Sequence, residues 1–209
     1  MPKLDVATAG RAKQRQRTRK DLLAAAARLL KAGRTPDMDA VAAEAMVSRA
    51  TAYRYFPSIE ALLVEAPLDG AIPDPRAIFA GDDSTEPAHR IDKAEAALHE
   101  MVYRNEAQLR LMLAASLEHK AKGLTDGLPV RQNRRAALIA AALAPARGRF
   151  HRSSYERLCA ALALIFAPES MIVFSDVLGH DERAARRIKS WAAQALVRAA
   201  LVESNDRRA

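Results

Sequence analysis

Behind Ser48 the chain sets Arg49, Ala50, Thr51, Tyr53 and Arg54, with Tyr55 directly after them. In a helix Arg49, Ala50, Tyr53 and Arg54 share one outer face. Guanidinium forks can reach guanine edges, Tyr and Thr hydroxyls can bond phosphate oxygens, and a small alanine lets a helix seat deeply. A Ser48 hydroxyl at the N-cap also leaves backbone N–H donors facing an anion. This is chemistry of polyanion recognition rather than of bond breaking.

Bond-breaking chemistry has no visible carrier elsewhere. His89, His99, His119, His151 and His180 make no i, i+4 pair and no HExxH pattern, so no metal is expected. There is no P-loop, no GxGxxG and no nucleophile elbow, so neither a cofactor nor an enzyme activity is expected. Cys159 is the single cysteine, which forbids an internal disulfide and fits a small buried apolar residue in a reducing cytoplasm.

Charge agrees with an anionic partner. The net charge is +8; residues 1–65 hold 12 Lys and Arg against 7 Asp and Glu, and residues 66–209 hold 21 against 18. Arg11, Lys13, Arg15, Arg17, Arg19 and Lys20 follow one another with no acid among them. A helix start normally favours acids, so this one opposes its own dipole, and an external polyanion resolves the conflict. Arg17 and Arg19 therefore join the candidate contacts.

The elements that must hold these residues read as all-α, since Ala and Leu abound while glycine and aromatic residues are scarce. Residues 1–16 are expected as a flexible basic arm. Leu22, Ala26, Leu29 and Leu30 give a first amphipathic helix that stops at Gly33. Asp37 caps a short second helix with Val41, Ala42 and Ala45 inward, Ser48 caps the third, and Ser58 the fourth, which runs to about Glu65. Residues 17–65 thus read as a helix-turn-helix domain.

Pro67, Pro73, Pro75 and Pro87 then crowd a connector, and residues 66–209 read as a larger helical domain. Its periodic apolar positions include Ile91 to Val102, Leu109 to Leu117, a helix after Pro129 carrying Leu138 and Ile139, and Tyr155 to Ile165. Pro168 should kink or restart that last helix, and the final one runs from Asp181 to about Val202. No uncharged apolar stretch approaches the ~20 residues of a membrane span, so a cytoplasmic protein is expected.

From Val41 to Phe56 the pattern becomes specific. Val41-Ala42, Ala45, Val47-Ser48, Thr51, Tyr53, Tyr55-Phe56 and Leu62 fall at the offsets of the DNA-binding domain of TetR family transcriptional regulators, which the segment from Arg17 to Leu63 resembles. The run from Trp191 to Leu196 resembles the last helix of many members.

The resemblance implies a homodimer whose third helices enter successive major grooves of a near-palindromic operator, and a larger domain that senses a small molecule; a repressor released by that effector is the expected function. It puts Arg49 and Ala50 at base-reading positions, Thr51 and Tyr53 at phosphates, and Arg54 at either; Asp37, Ser48 and Tyr55 complete the expected DNA-binding set. Two residues depart from the family. Met46 stands where glycine is usual, which predicts a cost of about 1 kcal/mol in a left-handed turn, or a slightly different turn. Ile59 replaces a frequent lysine, removing one phosphate contact.

In the larger domain Tyr103, Arg110, His119, Tyr155 and Asp176 are polar groups on otherwise apolar faces, and they are the candidate lining of a pocket for the unidentified effector. The stretches 155–178 and 181–202 are too apolar for one small domain to hide, and two from each subunit would make a four-helix dimer bundle. A protein that coats DNA without regard to sequence stands as the alternative, since positive charge alone would serve it.

Overall fold

The computed structural model describes residues 6–123 and 135–206, apart from the side chains of residues 6–13 and of His119. Every regular element among them is helical. They group into two units, one holding α1 (Val6–Lys31), α2 (Met38–Glu44), α3 (Arg49–Tyr55), α4 (Ile59–Ala71) and nearly all of α7 (Glu106–Ala121). The other holds α5 (Pro75–Ile78), α6 (Pro87–Arg104), α8 (Arg135–Leu143), α9 (Arg152–Ile165), α10 (Pro168–Ile172) and α11 (Glu182–Asp206). The start of the helix expected after Pro129 lies outside the described residues.

Two boundaries differ from expectation. The basic segment is helical from Val6, so residues 6–16 extend α1 rather than forming an irregular arm. The fourth helix does not stop near Glu65 but continues through Pro67 to Ala71. Proline there removes one backbone donor, and because Pro67 is exposed the freed carbonyl can turn to water.

The first unit is organised by the face α1 buries. Leu22, Leu23, Ala25, Ala26 and Leu29 pack with Met38, Val41 and Ala42 of α2, Ala52 and Phe56 around α3, and Leu62 and Ala66 of α4. Alanine at five of these twelve positions lets the axes approach closely, so the short helices α2 and α3 are fixed by packing rather than by their own propensity. Gly33 closes α1 at φ +73°, its N–H donating to Leu30 O while Arg34 N–H donates to Leu29 O.

One polar pair is sealed into this core. Arg19 is 2% exposed, pairs through both terminal nitrogens with the two Glu65 carboxylate oxygens, and lies with Cζ 4.4 Å from the centre of the Phe56 ring. It fastens α1 to α4 and to the residue that ends α3.

In the second unit α11 packs against α6 and α9, and α8 against α6 and α9. Pro168 restarts the chain as α10 after Ile165, and a π-helical turn at Val173–Val177 follows. The interface of α6 with α11 is ionic. Lys189 Nζ stands 2.6 Å from Glu95 Oε1 and Arg186 Nη1 3.0 Å from Glu95 Oε2, while Arg186 and Ser190 both bond Asp92. His99 is buried beside them, 3.3 Å from Lys189 Nζ through Nδ1. Among the described residues no single helix is long and apolar enough to cross a membrane.

Candidate nucleic-acid interface

The outer surface of α3 is built by two caps and a turn. Asp37 Oδ1 accepts from Ala40 N–H at 2.8 Å and starts α2. The turn that follows is tied by Met46 N–H to Ala43 O and Val47 N–H to Ala42 O, and it leaves Ser48 in extended backbone. Ser48 Oγ accepts from Thr51 N–H at 3.1 Å and donates to Thr51 Oγ1 at 2.9 Å. The two hydroxyls thereby start α3 together, and Phe56 ends it, buried in the core.

Met46 takes φ +56° and is 92% exposed. The turn is therefore the left-handed one that glycine would serve, and no alternative turn replaces it; methionine is tolerated because its side chain points into solvent. Ile59, where a lysine was the alternative, packs against the apolar core.

Helix α3 then leaves Arg49, Ala50, Tyr53 and Arg54 exposed. Arg49 Nη1 meets Asp39 Oδ2 of α2 at 2.8 Å, and its Cζ stands 5.5 Å from the centre of the Tyr53 ring. Tyr53 first, then Asp39, hold the guanidinium above its ordinary range. Arg54 Cζ lies 5.6 Å from the Tyr55 ring. On α1 Arg15, Arg17 and Lys20 are exposed.

Three expected contacts take other roles. Arg19 is a correction: its guanidinium is enclosed and paired to Glu65, so it has no edge to offer a duplex. Asp37 spends its carboxylate on the α2 cap, and a negative group would in any case repel phosphate. Tyr55 is half buried with its ring against the core. Tyr55 follows the buried Ala52 by three positions, a spacing that puts it on the inner side of α3, whereas nothing local distinguishes Arg19 from Arg17, since its partner is far along the chain.

The residues 22–66 match the family model described as bacterial regulatory proteins, tetR family. These residues form a TetR-type DNA-binding domain. The match starts inside α1 and ends inside α4, so the TetR-type domain coincides with the capped helices just described, and it points to a DNA-binding transcriptional regulator. No curated protein and no solved structure matches the chain.

The five pocket candidates divide between the two units. Arg110 lies on α7, in the first unit, and the His119 side chain lies outside those described. Tyr155 packs against Arg147, whose Cζ is 4.0 Å from its ring centre, and against Phe150. Asp176 is exposed beside Ser175. Tyr103 stacks on His99 with ring centres 4.5 Å apart; its hydroxyl and His99 Nε2 are buried without a hydrogen-bond partner among the described residues. Burial first, then Glu182, pushes the Tyr103 hydroxyl upward.

Sequence reasoning passed over two acids that matter here, Asp39 and Glu65. It also passed over Asp92, Glu95, His99 and Tyr103 as a set, although their spacing of three and four places them on one face of α6.

Proposed function

We propose that the protein is a sequence-specific repressor that binds a near-palindromic operator as a homodimer and is released by a small-molecule effector. The observation that carries the reading is the outer face of α3, where Arg49, Ala50, Tyr53 and Arg54 stand exposed on a helix capped at both ends and seated on a packed core. Such a helix presents guanidinium forks and a phenol hydroxyl rigidly, which base reading requires and unspecific coating does not. Arg17 and Thr51 are assigned to phosphates; Ser48 orients Thr51.

Dimerisation in this reading uses α9, the π-helical turn and α11, because Leu164, Val177 and Trp191 are each at least two-thirds exposed, with Val173, Leu178, Ile188 and Val202 also uncovered. Apolar surface of this extent on one unit fits a second copy. Tyr103 is the strongest of the five effector candidates, since its buried hydroxyl lacks a partner among the described residues. Effector binding shifts the dimer to a state whose reading helices are wrongly spaced, and a differential affinity of a few kcal/mol is enough.

Selection of bound fragments from genomic DNA by the purified protein tests this. The expected result is a discrete two-fold motif for the wild type, changed in sequence by Arg49→Ala and weakened without change of sequence by Tyr53→Ala. Uniform recovery of all fragments by wild type and variants would replace this reading with that of a coating protein.

A further inference from the structure

Arg49, the base reader of the proposed interface, is already held. Asp39 sits in the first turn of α2 and Arg49 opens α3, ten residues later, and their 2.8 Å contact joins the two helices on the solvent side. The side chains are 55% and 62% exposed, respectively. An ion pair this wet adds little to the stability of the fold. It does restrict a long flexible side chain, and it engages only one N–H of a fork that has five. Tyr53 flanks the same guanidinium. The N–H groups engaged by neither Asp39 nor Tyr53 are left for a base edge.

The charge of Asp39 acts in a second way. Duplex DNA brings a dense row of phosphates to this face, and a carboxylate there opposes every sequence alike. Only a duplex that offers the held guanidinium good acceptors repays that opposition. Asp37, the other acid close enough to act on Arg49, is committed to the α2 cap. Both effects of Asp39 lower affinity for wrong sequences more than they raise it for the right one.

We propose that Asp39 is a specificity-determining residue that acts through Arg49, fixing its guanidinium for base reading and penalising duplexes that lack the matching acceptors. The inference rests on α3 reading bases. Its chemistry is that of a carboxylate buttress beneath an arginine fork, and it assigns selectivity to α2, an element with no base contact of its own.

Selection from a random duplex pool with the full-length protein tests it, comparing wild type, Asp39→Asn, Asp39→Ala, Arg49→Ala and the Asp39→Asn, Arg49→Ala double variant. Arg49→Ala should erase preference at one position of each half-site. Asp39→Asn and Asp39→Ala should lower the ratio of best to second base at that same position by about fivefold, within the range one bidentate contact commands. They should also raise affinity for unrelated DNA at low salt. The double variant should match Arg49→Ala in base preference.

If the wild type enriches a motif and both Asp39 variants keep the base ratios unchanged, or lower every position equally as a loosened fold would, the inference is overturned while the base-reading assignment stands. If the wild type enriches no motif, the base-reading assignment itself fails.

Discussion

Arg19 and Glu65 meet fork to fork inside the first unit, each Arg19 terminal nitrogen 2.5 Å from a different Glu65 oxygen, with the Phe56 ring beneath the guanidinium. Removing one partner of a buried pair leaves an uncompensated charge, so Arg19→Met should destabilise the protein by about 3–5 kcal/mol. Replacing both, as Arg19→Met with Glu65→Leu, should recover most of the loss. Denaturant titration of the single and double variants measures this, and a double variant no better than Arg19→Met alone would mean the pair is not the cause.

The second prediction concerns Met46. At φ +56° a residue with a Cβ is strained, and the side chain is too exposed to gain by packing. Met46→Gly should therefore stabilise the domain by up to ~1 kcal/mol, the relief of strain being partly offset by the greater freedom of glycine in the unfolded chain. A midpoint shift in urea with unchanged slope is the expected readout. Equal or lower stability would show that the turn carries no strain.

These two cases also show what the sequence could disclose. The first four helices, their caps at Asp37 and Ser48, and the exposed set on α3 follow from local spacing, because each depends on residues within a few positions. Arg19 could not be told from Arg17 in that way, since only packing of α4 against α1 brings Glu65 to it. Asp39 was equally silent, its partner being set by the angle between α2 and α3. Residues 1–16 were expected as an arm, yet the apolar face from Leu22 onward nucleates α1 strongly enough to carry the helix back to Val6.

A third prediction follows from the ionic seam of α6 and α11. Burial first, then Lys189 and Arg186, lowers His99 from 6.5 to about 4, and Glu95 on its own helix and Glu182 on α11 face the same ring. The folded protein therefore binds fewer protons here than the unfolded chain. Stability is full above pH 6.5 and declines as pH falls from there through about 4, with up to ~3 kcal/mol at stake. Glu95, pushed upward by burial, gives the opposite slope, so the wild-type curve alone is ambiguous. The difference between wild type and His99→Gln isolates the histidine: the wild-type thermal midpoint should drop relative to that of the variant as pH falls through that window. Parallel curves would mean that His99 titrates alike folded and unfolded.

The last prediction tests the proposed assembly. Leu164 on α9 and Trp191 on α11 are 76% and 69% exposed, an orientation that leaves two large apolar groups in water unless a second copy covers them. Neither contributes to the core, so Leu164→Glu and Trp191→Glu should leave helical content and denaturant stability of the monomeric unit unchanged. Placed in a two-fold interface, each charge is buried twice, once per subunit, and like charges approach across the axis. Sedimentation should therefore show a dimer for the wild type and a monomer for either variant. Operator affinity should fall with dimerisation, because a lone α3 reads one half-site, whereas affinity for unrelated duplex should change far less. A wild type that sediments as a monomer, or variants that remain dimeric, would remove this face from the interface and require the two reading helices to be paired by another surface.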